Sequence, residues 1–256
     1  MTPPLDHPPA KPKTRPEWIY LLPMGVFMAF IWLGSFDKAL FPWAYVGRTL
    51  VVGALLVWLW PRLKFSIRWT HLWLGFLVGI VGTVQWIGME SLLIHFFGTK
   101  GFSLSMIQLV SDVSNHFDYP KAFENPILLW SFLFVRLFGP VLVVPIMEEL
   151  FWRDWLWRTA ASYDGDGDFN SVPVGVYEWK AVWLVPLAFA MVHVQFLTAI
   201  VWALLIAWLL VRTKSLGACI VAHATTNLLL GLWILATWKL IPLDKVPFGV
   251  PHWFFW

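Results

Sequence analysis

The sequence predicts an all-α, polytopic membrane protein with about seven or eight transmembrane helices. Three observations predict it. Of the 256 residues, 59% are hydrophobic and 13% charged, against about 45–50% and about 25% in soluble domains. The mean hydropathy is +0.69. The apolar runs are long and unbroken, so each must satisfy its own backbone as a helix once in lipid. Twenty tryptophans suit a chain with two membrane interfaces, where indole rings collect. The net charge of +3 is too small to indicate nucleic acid, and none is expected as a partner. A lone cysteine, Cys219, rules out a disulfide framework or a cysteine metal cluster.

Residues 1–17 read as a disordered cytoplasmic tail, because Met1 to Arg15 holds five prolines, three basic residues and almost nothing apolar. The first span, Trp18 to Phe36, exceeds a signal-peptide core and lacks a small-residue cleavage site, so it is retained. The second is Ala39 to Trp60, with Arg48 expected to snorkel toward the near surface. Pro61 to Arg68 is a short basic loop. The third span, Trp69 to Phe97, carries Gly75, Gly79 and Gly82, small residues that let another helix approach. Its Glu90 and His95 are expected at the far interface. In the polar connection Gly98 to Asn125, Ser103 to Phe117 reads as a surface helix, and His116 and Asp118 as solvated. Residues 18–125 thus form an N-terminal group of spans.

Pro126 to Ala160 is too long for one straight crossing of about 20 residues. Gly139, Pro140 and Pro145 predict a break or bend just before a pair of glutamates. The next connection contains Asp164-Gly165-Asp166-Gly167-Asp168. It fails as a calcium loop, since Phe169 replaces the turn glycine and Gly175 the bidentate glutamate. Spans follow at Ala181 to Phe196, Leu197 to Val211 and Leu216 to Trp238. Residues 126–238 form the helical core, and 239–256 an aromatic tail expected at an interface. With seven spans, Lys11, Lys13, Arg15, Arg62, Lys64, Arg68, Arg158, Arg212 and Lys214 share one side. That predicts a multi-pass protein of the cell membrane with a cytoplasmic N-terminus.

Three polar islands interrupt the apolar second half. A charge at bilayer depth costs several kcal/mol, so such groups usually have a task. The first island is Glu148, Glu149 and Arg153. Glu149 and Arg153 are i and i+4 and can pair, while Glu148 turns about 100° away and has no local partner. The second is His193. The third is His223 and Asn227, again i and i+4, where the amide could orient the imidazole or donate to an oxyanion. The set suits activation of a water. Glu148, His193 and His223 could equally hold a Zn²⁺ with an open position. A structural reading, polar glue between helices, competes for each island taken singly.

Glu-Glu-x-x-x-Arg at Glu148–Arg153, Phe-x-x-x-His at Phe189–His193 and His-x-x-x-Asn at His223–Asn227 stand in order on successive helices. This pattern resembles the type II CAAX prenyl endopeptidases, within the wider CPBP (Abi) group of intramembrane proteases. The resemblance runs from about Pro126 to Trp238 and does not reach the earlier spans. The chain is also similar to a bacterial CAAX prenyl protease-related subgroup found beside exosortase systems. The resemblance implies a catalytic Glu148 helped by His193, His223 and Asn227, with Glu149 and Arg153 supporting. It implies hydrolysis of a peptide bond by activated water, with the lipid bilayer and a membrane-associated protein or peptide as partners. Spacing does not choose between a metal-free site and Zn²⁺. Two other classes compete: a proton-coupled transporter, disfavoured by the lack of an internal repeat, and a non-catalytic membrane scaffold or immunity protein, disfavoured by the intact motifs.

Overall fold

A computed structural model describes residues 15–37, 39–97, 123–162 and 167–240. Residues 1–14, the Ser103–Phe117 helix, His116, Asp118, most of the acidic turn at 164–168 and the aromatic tail beyond Leu240 lie outside the described residues.

All regular structure among the described residues is helical. The helices are α1 (Trp18–Ser35), α2 (Phe41–Leu63), α3 (Leu72–Phe97), α4 (Pro126–Ser162), α5 (Trp179–Met191), α6 (Phe196–Thr213) and α7 (Leu216–Leu240). All except α5 are long and apolar enough to cross a membrane. The expected span Ala181 to Phe196 is therefore corrected. α5 stops at Met191, and Phe196 opens the next helix. Thirteen residues rise about 20 Å, short of the roughly 30 Å hydrocarbon core. The turn that follows, with Val192 N–H bonded to Phe189 O and His193 N–H to Ala190 O, thus lies at membrane depth. Irregular backbone is tolerated there only inside protein or along a cavity.

Where a break or bend is expected in α4, the helix widens. Gly139–Val143 and Leu150–Leu156 are π-helical, flanking the α-helical turn Val144–Glu149. The cause is local. Val144 N–H reaches back to Gly139 O, and the next residue, Pro145, has no N–H for Pro140 O. That orphaned carbonyl accepts from Asn227 Nδ2 at 2.7 Å, which ties α4 to α7. Such π segments often mark functional positions.

The three glycines of α3 seat α7, as their spacing suggests. A Cβ on Gly75 would stand 2.4 Å from Ala218 O; one on Gly79 would stand 2.5 Å from Thr225 Cβ and 2.6 Å from Ala222 O. Without a hydrophobic drive between helices in lipid, close van der Waals packing of this kind holds them together. Thr226 Oγ1 lies 3.0 Å from both Gly79 O and Ala222 O, so its one hydrogen is shared between, or alternates between, α3 and its own helix.

The basic residues gather at one end of the bundle. Arg15 Nη1 and Arg158 Nη1 share the buried Asp154, at 3.1 and 2.7 Å, and Tyr20 Oη donates to it at 2.8 Å. Arg62 lies over Trp18, and Ser215 Oγ donates to Arg68 O at 2.7 Å. Arg158 Nε also holds Val172 O at 2.6 Å, so this arginine clamps the connection between α4 and α5. Arg15, near the end of the expected tail, exchanges hydrogen bonds with Asn170. In the same connection, the Asn170 backbone N–H and side-chain amide hold the Asp168 carboxyl below its ordinary range.

One further expectation is corrected. Arg48 does not snorkel. Its guanidinium lies 4.5 Å from the Phe27 ring and 4.3 Å from the Tyr45 ring, both buried. Glu90, toward the far end of α3, is buried against the bundle and accepts from Thr198 Oγ1 at 2.6 Å.

Candidate active site

Glu148 and Glu149 end the short α-helical turn between the two π segments, and the bundle encloses both. Glu149 is 0% exposed and Glu148 5%. Glu149 Oε1 accepts from Arg153 Nη1 at 3.1 Å and from His223 Nδ1 at 2.9 Å. The ion pair expected from their spacing therefore also receives an imidazole from α7. Because a carboxylate only accepts, Nδ1 of His223 carries the hydrogen, and Nε2 is the nitrogen left to face other groups. Glu149 thus fixes the tautomer and the ring, the arrangement by which a buried carboxylate orients a histidine.

Glu148 makes no such bond. Its Oε2 is buried without a hydrogen-bond partner, while the group interacts electrostatically with His223, Arg153 and Arg48. Leaving a buried polar atom unpaired costs about 1–3 kcal/mol. Glu149 Oε2 and Arg153 Nη2 are buried unpaired in the same cluster, so the polar capacity left open there is shared by the pair of glutamates and the arginine.

His193 follows the end of α5, in the turn at membrane depth. Its Nδ1 donates to Phe189 O at 2.8 Å, which again leaves Nε2 as the acceptor. The imidazole stacks on Phe189, with centroids 4.1 Å apart and planes at 24°. Phe189 is the hub that gathers the islands. Arg153 Cζ lies 4.9 Å over it, Trp202 stacks at 5.3 Å, and His223 meets it edge-on at 6.4 Å. Trp202 in turn packs against His223 at 4.7 Å. A cation over aromatic faces is stabilised most when desolvated, as Arg153 is at 1% exposure.

Asn227 lies elsewhere in the network. One amide hydrogen goes to Pro140 O, so the residue braces the π segment rather than the imidazole four positions earlier. Cys219 is buried, with Ile206 O 4.0 Å from its sulfur.

A zinc reading needs three protein donors around one point. Among the described residues, no three His, Cys, Asp or Glu side chains gather closely enough to hold a metal ion. The donor set does not fit a Glu148–His193–His223 zinc centre.

Sequence reasoning missed Trp202, Trp86, Glu90 and Arg48. The tryptophans carry no local signal in a chain with twenty of them. Glu90 and Arg48 did carry one, since an ionisable group within an apolar run is itself a flag.

The fold and site define a polytopic helical membrane protein with carboxylates and imidazoles enclosed at bilayer depth. Residues 129–229 match the family described as Type II CAAX prenyl endopeptidase Rce1-like, and that segment is a domain of this protease family. It starts in α4, ends in α7 and contains all three motifs. No curated protein and no solved structure matches the chain.

Proposed function

We propose that the protein is an intramembrane endopeptidase that cleaves a membrane-associated, CAAX-type protein or peptide with a water activated by Glu148. The observation that carries this reading is the division of labour between neighbouring glutamates. Glu149 holds Arg153 and His223 through Oε1 and keeps only its Oε2 unpaired, whereas Glu148 shares in neither bond and its buried Oε2 is free of protein partners. In this reading Glu148 takes a proton from the water as its oxygen bonds to the scissile carbonyl carbon. The same carboxyl returns the proton to the leaving amine when the C–N bond breaks. His223 and His193 present Nε2 toward the reacting groups, each held by its Nδ1 bond. The reading requires no metal. The end of the bundle that gathers Arg15, Arg62, Arg68 and Arg158 faces the cytoplasm, by the excess of basic residues on that side.

The test is cleavage of a prenylated CAAX-type peptide by purified protein in liposomes, comparing wild type with Glu148→Ala and Glu148→Gln. Both variants should fold and lose turnover, because neither side chain can accept the proton. Cleavage equal to wild type in either variant overturns the proposal.

A further inference from the structure

α3 lies outside the matched domain, yet it touches the site through the turn that carries His193. Trp86 meets the edge of the His193 ring with centroids 6.1 Å apart. One helical turn further along the same face stands Glu90, buried at 7% exposure. Its Oε2 accepts from Thr198 Oγ1 at 2.6 Å, and Gln85 Nε2 donates to the carbonyl of the same threonine at 3.2 Å. Thr198 is wholly buried in the first turn of α6, five residues after His193. Two side chains of α3 therefore grip one residue of α6 by its hydroxyl and its carbonyl.

The grip falls where the fold needs it. α5 ends before crossing, and α6 begins at Phe196 with no side-chain cap on its first N–H groups. Such an end carries unsatisfied donors and a partial positive charge, which a carboxylate stabilises. His193 itself is held by one bond to Phe189 O and by stacking. Both contacts run through Phe189, which ties the end of α5 to Arg153, Trp202 and His223 but leaves the turn after His193 to be held from elsewhere. The contacts of Glu90 and Gln85 to Thr198 hold the far side of that turn.

We propose that Glu90, through Thr198, is a positioning residue for His193. It anchors the start of α6 on α3 and so sets where the His193 Nε2 points. A carboxylate costs more to bury than an amide, yet Gln could also accept the threonine hydroxyl. Glu90→Gln should therefore preserve the anchor, whereas Glu90→Ala and Thr198→Val each remove one half of it.

The test has two arms. In protein labelled with ¹⁵N-histidine and placed in nanodiscs, Glu90→Ala and Thr198→Val should shift and broaden the His193 ring signals. They should leave the His223 signals in place, and Glu90→Gln should retain the wild-type spectrum. This arm does not depend on what the protein cleaves. The second arm rests on the peptidase reading. With the prenylated peptide, Glu90→Ala and Thr198→Val should lower kcat about tenfold, as loss of an outer-shell partner does, with KM within about twofold. In a His193→Ala background Glu90→Ala should cost nothing further, because the two losses run through one residue. Unchanged His193 signals in both variants, or losses that multiply in the His193→Ala background, overturn the proposal. Undiminished cleavage by Glu148→Ala would instead overturn the peptidase reading and leave the first arm to decide the role of Glu90.

Discussion

His223 Nδ1 lies 2.9 Å from Glu149 Oε1, the oxygen that Arg153 also holds. The second glutamate of the pair is thus the centre of a three-residue network linking α4 to α7. Removing one partner of a buried ion pair costs about 3–5 kcal/mol, since the other charge stays buried. Glu149→Ala should therefore lower the thermal midpoint in detergent strongly. Glu148→Ala, which removes a carboxylate with an unpaired buried oxygen, should leave the midpoint near wild type or raise it. A reversed order of the two midpoints would contradict this assignment.

Asn227 and Pro145 should be energetically coupled, although no hydrogen bond joins them. Asn227 serves the Pro140 carbonyl that Pro145, lacking an N–H, cannot serve. Asn227→Leu should cost about 1–3 kcal/mol, the penalty of an orphaned buried acceptor. Pro145→Ala restores a backbone donor nearby, so the same substitution should cost less in that background. Equal costs in the two backgrounds, measured by thermal unfolding, would show that the π segment has another origin.

Gly79 and Gly88 offer a matched pair on α3. A Cβ at Gly79 would collide with Ala222 O and Thr225, whereas one at Gly88 meets nothing within 4 Å. Gly79→Ala should destabilise by about 1–3 kcal/mol, the usual cost of overpacking. Gly88→Ala should be neutral or slightly stabilising, since alanine is the better helix former. The comparison needs only the two unfolding midpoints.

Cleavage should persist in 1,10-phenanthroline within about twofold of the untreated rate, well short of the loss that removing an essential metal brings. The donor geometry is the reason, as no three ligating side chains converge among the described residues. Loss of activity that added Zn²⁺ restores would refute this.

Much of the fold was legible because lipid imposes a simple code of long apolar runs ending in basic or aromatic residues. The glycines of α3 announced a close neighbour, and Glu149 and Arg153 announced their ion pair by spacing alone. The rest was hidden for physical reasons. Whether proline and glycine break a helix or widen it depends on who satisfies the freed carbonyl, and Asn227 stands 87 residues away from Pro140 in the chain. The shortness of α5 was masked because Val192, Val194 and Phe196 keep the run apolar through the turn. That His223 would choose Glu149 over Glu148 is a matter of helix rotation, which sequence spacing within α7 does not contain.

The abbreviated α5 has a consequence for the surrounding membrane. A wall roughly 10 Å shorter than the hydrocarbon leaves lipid tails on that flank without a matching protein surface, and bilayers answer such mismatch by thinning locally. Thinning on that flank would bring water and headgroups nearer to His193 and to the depth at which a peptide bond would have to be hydrolysed. Turnover should then rise in short-chain phosphatidylcholines and fall as acyl chains lengthen.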